Sequence, residues 1–184
     1  MEHGVRIRAM KRAPERKNRM LGLDVRSRRI GYAVFEHPAR LVDFGVTRFK
    51  STDSAMLHLA KLIRNTQPDV LILRKIPSNS SRNRPGTRTI QRLTRLLGSC
   101  SSIEVAFISE AKLHSCFRAK GANTKYQMAS YLAQTFPELG WRLPSPRKAW
   151  ETEYRNMSIF DAAALAVTYL AFAHETSVRK HSIP

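Results

Sequence analysis

The segment Leu21-Gly-Leu-Asp24-Val-Arg26-Ser-Arg28-Arg29-Ile30 sets one carboxylate, Asp24, at the end of an apolar strand and ahead of a basic turn. A carboxylate drawn into a strand end is costly unless a metal ion or a hydrogen-bond donor meets it. Arg26, Arg28 and Arg74 are the donors that a purely structural Asp24 would pair with. A second acid, Asp161, stands in Ser158-Ile-Phe-Asp161, a spacing that also fits a helix-capping box. Glu110 begins a short helical segment, where the helix dipole favours an acid. Glu151 and Glu153 precede the last helix and read as surface glutamates that could fold toward it.

The second group with chemical content is cationic. Residues 74–95 hold Arg74, Lys75, Arg82, Arg84, Arg88, Arg92 and Arg95 and no acid. The run Arg82-Asn-Arg84-Pro-Gly-Thr-Arg88 leads into a helix, whose first amides also bind phosphate. Arginine forks match phosphate oxygens in pairs. Lys120 and Lys125 flank Gly121 and suit contact with a phosphate backbone. Trp141, Trp150 and Tyr154 lie among Arg142, Arg147, Lys148 and Arg155. Aromatics among cations stack bases; core packing is the other reading.

The whole chain supports the phosphate reading. Thirty-two Lys and Arg against 14 Asp and Glu leave +18 over 184 residues. Such an excess repels itself in a compact state, so a polyanion is the expected counterweight, with nucleic acid first. A membrane surface would call for a basic amphipathic anchor helix. No apolar run reaches the roughly 18 residues that span a bilayer. The basic N-terminus lacks the apolar core of a secretory signal. Glu2, Glu15 and the absence of Ser argue against an organellar transit peptide. Cys100 and Cys116 lack metal or CxxC spacing and fit a reduced, cytoplasmic protein, associated with nucleoid or ribonucleoprotein. The six His show no metal pattern.

Three strands are expected at 20–25, 30–36 and 41–49. A helix follows over 53–66, capped by Thr52 or Asp53, and then an apolar strand at 70–73. Residues 77–86 read as a loop, 87–97 as a basic helix, 103–108 as a strand and 110–118 as a short helix. Asn123 would cap a helix to about Phe136, and 137–157 read as irregular. The last helix, 159–173, is apolar nearly all round and should be buried. Residues 1–19 read as a flexible basic arm, 20–175 as one domain and 176–184 as a tail. Consecutive strands suit a meander, and helix-joined strands suit parallel crossovers.

Three blocks of this order resemble the RuvC-type Holliday-junction resolvases and the related YqgF-type pre-rRNA nucleases. They are Leu21–Glu36, Pro68-Asp69 with its strand, and Gly121–Lys125 through Ser158–Val167. The resemblance implies an α/β ribonuclease-H-like fold with a five-stranded mixed sheet, three antiparallel strands and then parallel ones. It implies a divalent-metal-dependent endonuclease using Mg2+ or Mn2+ on structured or branched DNA or RNA. Metal-assisted phosphodiester cleavage needs several carboxylates around the ions. Asp24 matches the family's first catalytic Asp and Asp161 its last. Glu110 resembles the acidic Asp-Glu-Arg segment of the YqgF type, so Asp24, Glu110 and Asp161 form the implied catalytic and metal-binding set. Arg26, Arg28, Arg74, Lys75, Arg82, Arg84, Arg88, Arg92, Lys120 and Lys125 form the expected nucleic-acid-binding set. Resolvases of this family act as homodimers, which is the implied assembly.

The sequence departs from the family at three positions. Arg74 stands where the family has Glu, Ser158 where it has Asp, and Arg26 where it has Gly. Two readings therefore stay open: a RuvC-like nuclease or divergent relative, and a catalytically inactive member serving as a nucleic-acid-binding or ribonucleoprotein component. A basic protein docking on an acidic partner is a third.

Overall fold

A computed structural model describes residues 19–36, 39–76, 85–98, 103–146, 148 and 152–181. The strands are β1 (Arg19–Val25), β2 (Arg29–Glu36), β3 (Arg40–Arg48), β4 (Val70–Arg74) and β5 (Glu104–Ile108). The helices are α1 (Thr52–Thr66), α2 (Pro85–Gly98), α3 (Glu110–Arg118), α4 (Lys125–Thr135) and α5 (Met157–His181). The sheet order is β3-β2-β1-β4-β5, with β3, β2 and β1 antiparallel and β1, β4 and β5 parallel. This is the mixed five-stranded sheet expected from the sequence.

Strand periodicity sorts the side chains onto two faces. Met20, Val70, Ile72, Ala33 and Phe35 join the core under α3, α4 and α5. Leu21, Leu23, Leu71, Leu73 and Val34 join the opposite core under α1 and α2. Parity therefore turns Asp24, two residues beyond Gly22, and Arg74, two beyond Ile72, toward the α5 face. Residues Met157 to Ala166 of α5 are all buried, as its apolar sequence requires. Alanines at 162, 163, 164 and 166 and glycines in the sheet let the helix sit close. A Cβ at Gly22 would lie 2.3 Å from the Ala162 carbonyl oxygen.

Helix ends depart from the sequence reading in small ways. The α1 cap is Ser51, not Thr52 or Asp53: its hydroxyl accepts from the Ser54 amide, and Ser54 reaches back. The α4 cap is Thr124 rather than Asn123, closed by Gln127 in the same reciprocal way. Adjacent capping residues are chemically equivalent, so the turn geometry decides between them. Helix α2 begins at Pro85, two residues earlier than expected, with proline tolerated in a first turn. A 3-10 turn, Pro137–Arg142, lies within the segment read as irregular. Helix α5 begins at Met157 and runs to His181, so Ser158 lies inside it and is not the cap of a Ser158–Asp161 box. Arg19, the last residue of the expected arm, opens β1 and donates from Nε to Glu36 at 3.0 Å; residues 1–18 lie outside the described residues.

Candidate functional site

Asp24, 3% exposed, sits where β1 ends, directly across from Gly31 of β2. Asp161 is 6% exposed, on the first turns of α5. The turn after β1 folds Arg26 back, its amide donating to the Arg29 carbonyl at 2.9 Å. Arg26 Nε then donates to both Asp24 oxygens at 3.0 and 2.8 Å, and Nη2 donates to Asp161 Oδ2 at 2.9 Å. One guanidinium thus bridges the two buried acids.

Two further cations close the ring. Lys125, the first residue of α4, pairs with Asp161 Oδ2 at 2.7 Å and with Glu153. Arg74, at the end of β4, pairs with Glu110 and lies 3.9 Å from Asp161 Oδ1. Arg29 donates to Glu153 Oε2 and to the Ser158 hydroxyl, both at 2.9 Å. The Ser158 side chain therefore serves as an acceptor for β2. Glu110 stays exposed at the start of α3, also 3.1 Å from His114 Nε2.

The electrostatics follow from this arrangement. Burial opposes the Arg26 charge, but Asp24 and Asp161 outweigh it and push the guanidinium further above its ordinary value. Burial and the Asp24 charge raise Asp161, against the pull of Lys125 and Arg26. Burial would also raise Glu153, yet the Lys125 hydrogen bond and the Lys125, Arg26 and Arg29 charges hold it below the ordinary 4.5. Burial would raise Glu110 too, but Arg74 and His114 bring it down.

Glu153 gives a pH signature. A carboxylate depressed on folding adds stability above its unfolded value, and that stability is lost as pH falls through the folded value. Glu153→Gln should lower stability by about 1 kcal/mol at neutral pH, a Tm drop of about 2–4 °C. The gap to wild type should close below about pH 4. Thermal unfolding of both proteins from acid to neutral pH measures it, and a gap that does not narrow in acid would contradict the pairing.

These residues do not fit a magnesium or manganese site. Among the described residues no three His, Cys, Asp or Glu side chains converge to hold a metal ion. Of the implied set of Asp24, Glu110 and Asp161, the two aspartates meet through Arg26, and Glu110 is tied to them through Arg74. Arg26 occupies both Asp24 oxygens, and Arg26 and Lys125 share Asp161 Oδ2. Glu153, read as a surface residue, is half-buried and belongs to the network; Glu151 lies outside the described residues.

Around the network opens a cleft of about 1370 Å³, lined among the described residues by nine Lys or Arg against three acids. Arg26, Arg28, Arg74, Lys75 and Lys125 of the expected binding set line it. Three others of that set sit elsewhere: Arg88 is an exposed α2 residue outside the lining, Arg92 pairs with Asp53, and Lys120 lies 5.5 Å over the Tyr131 ring. Arg82 and Arg84 lie outside the described residues. Sequence reasoning missed Arg29, Arg48 and Lys50 as lining residues, and had Arg155 only among the cations around the aromatics. For Arg29 the signal was parity, since it shares a β2 face with Gly31, Ala33 and Phe35. Arg48 pairs with Arg29 in the β2–β3 register, which carries it to the same rim.

No family model and no curated protein matches the sequence. Solved structures do match. RuvC of Thermus thermophilus, in complex with a Holliday junction substrate, is 12% identical with TM-score 0.61, covering 85% of this chain and 95% of that one. The yeast mitochondrial Holliday junction resolvase Ydc2 is 13% identical with TM-score 0.62, covering 91% and 87%. The fowlpox virus Holliday junction resolvase is 15% identical with TM-score 0.56, covering 84% and 99%. Among the described residues no helix is long and apolar enough to cross a membrane. The sheet order and the seat of α5 on β1 and β2 give this chain the RuvC-like, ribonuclease-H-like fold of these neighbours.

Proposed function

We propose that this protein binds structured or branched nucleic acid through the phosphates, and does so without cutting it. It would act as a nucleic-acid-binding or ribonucleoprotein component built on a nuclease fold. The observation that carries this reading is the Arg26 guanidinium, hydrogen-bonded to both Asp24 and Asp161 where the fold's nucleases need free carboxylates. Arg74 and Lys125 reinforce it from β4 and α4. The exposed rim cations, Arg28, Arg48, Lys50, Lys75 and Arg155, are left to meet phosphate oxygens.

One observation favours the alternative, a RuvC-like metal-dependent endonuclease. Asp24 and Asp161 are still held around a single point, the Arg26 fork. A divalent ion that displaced the guanidinium would find two of its ligands in place.

The test is binding and cleavage of labelled four-way junction, blunt duplex and structured RNA, with Mg2+ or Mn2+ and an Asp24→Asn control. The proposal expects tight binding with a log-affinity against log-salt slope of about −4, roughly a few-hundredfold loss between 50 and 200 mM salt. It expects no metal-dependent cutting by either protein. Cutting that disappears in Asp24→Asn would establish the nuclease instead. A slope near zero would remove nucleic acid as the partner.

A further inference from the structure

The 3-10 turn and the segment before α5 gather aromatic surface beside the cleft. Trp141 is 70% exposed and Tyr154 43% exposed. Core packing, the other sequence reading of these aromatics, does not hold for this pair; Trp150 lies outside the described residues. The Arg142 guanidinium lies 3.7 Å from the centre of the Trp141 ring, a stacked cation–π contact. Its Nε is buried, and among the described residues has no hydrogen-bond partner.

The platform is rigid. Leu139, fully buried, anchors the turn, and Asn156 Nδ2 donates to the Arg142 carbonyl at 3.4 Å. The two aromatics line a shallow recess of about 340 Å³ with Arg142, Pro144 and Arg155, and among the described residues no acid lines it. Arg155 also lines the main cleft, so the two surfaces share a wall.

We infer that this recess takes an unpaired base of a nucleic-acid strand whose phosphates lie in the cleft. The inference rests on the proposed function and deepens it by naming the substrate class: nucleic acid with a single-stranded or unstacked nucleotide next to a duplex. A flat apolar ring with cations on its flanks matches a base with its phosphate. A base inside a duplex already has both faces stacked and offers neither to Trp141. The pre-set indole loses little freedom on binding, so the stacking energy is realised as affinity.

The experiment compares three labelled DNAs by fluorescence anisotropy: a blunt duplex, the same duplex with a short single-stranded overhang, and one whose overhang is abasic. The two overhangs carry the same phosphates and differ only in bases. Wild type should bind the base-bearing overhang about tenfold tighter than the abasic one. Trp141→Ala should erase that difference and Trp141→Phe should restore most of it. Trp141 is exposed, so its truncation leaves the core intact. Equal affinity of wild type for the two overhangs, with firm binding to the blunt duplex, would overturn the base site and leave the cleft standing. Failure of all three DNAs, and of the same three made as RNA, to bind would overturn both.

Discussion

Arg26→Ala is expected to lower stability by about 2–3 kcal/mol at neutral pH, a Tm drop of about 4–12 °C. Removing one partner of a buried ion pair leaves the other charge uncompensated, and here one deletion orphans two carboxylates. The figure is discounted from the usual range because the Arg26 side chain is 38% exposed, whereas Asp24 and Asp161 are 4% and 8% exposed. The deficit should depend on pH. Burial and Asp24 already raise Asp161 against Arg26 and Lys125, and without Arg26 it rises further. An acid raised on folding loses its stabilising effect as pH climbs from the unfolded value to the folded one. The gap between wild type and variant should therefore be small near pH 4 and widest at neutral pH. Millimolar manganese completes the test. Wild type should show no Tm shift, because its acids are committed to cations. The variant should recover part of its loss, because an ion that binds only the folded state stabilises it. A manganese shift in wild type would mean that Arg26 yields to metal and would revive the nuclease reading. An Arg26→Ala protein as stable as wild type would mean that the bridge does not compensate these acids.

The sheet and its helices were legible in the sequence because their signals are local. Apolar runs at 20–25 and 70–73, and apolar residues at helical spacing in 53–66, report burial within a few residues of themselves. Asp24 and Asp161 were legible as partners through the resemblance. Arg26 was one of three donors expected for Asp24, but its reach onward to Asp161 was not legible. A basic residue two positions after a strand acid can point to solvent or fold back, and the choice lies in the turn that joins the Arg26 amide to Arg29. The Lys125–Glu153–Arg29 group was hidden for a different reason: its members come from α4, the approach to α5 and β2, and meet only after the sheet has formed. Ser158 shows how a local rule can be satisfied by the wrong partner. Its spacing from Asp161 fits a cap, but α5 starts one residue earlier, and Arg29 takes the hydroxyl instead. Arg26, Arg74 and Ser158 belong to one network: cations from the turn after β1, from β2 and from β4 converge on Asp24, Asp161 and the Ser158 hydroxyl.

Gly31→Ala is expected to cost about 3 kcal/mol or more, at the upper end for overpacking a core. Gly31 stands opposite Asp24 in the sheet, and α5 crosses directly above it. A Cβ there would lie 2.1 Å from the Ser158 carbonyl oxygen and 2.3 Å from its carbon. These are backbone atoms of a buried helix, so no rotamer change relieves the contact; the helix must lift or the strand must sink. Lifting α5 draws Ser158 from Arg29 and Asp161 from the Arg26 fork, so packing and charge losses add. The sign isolates the packing, because alanine otherwise suits a strand better than glycine by about 0.5–1 kcal/mol. Gly140→Ala is the control: nothing lies within 4 Å of its added Cβ, and it should be neutral within about 0.5 kcal/mol. Urea unfolding of the three proteins decides the matter. A Gly31→Ala midpoint well below both others would show that β2 and α5 touch at this glycine. A midpoint equal to wild type would mean that α5 does not rest there, and the bridge between Asp24 and Asp161 would lose its geometric basis.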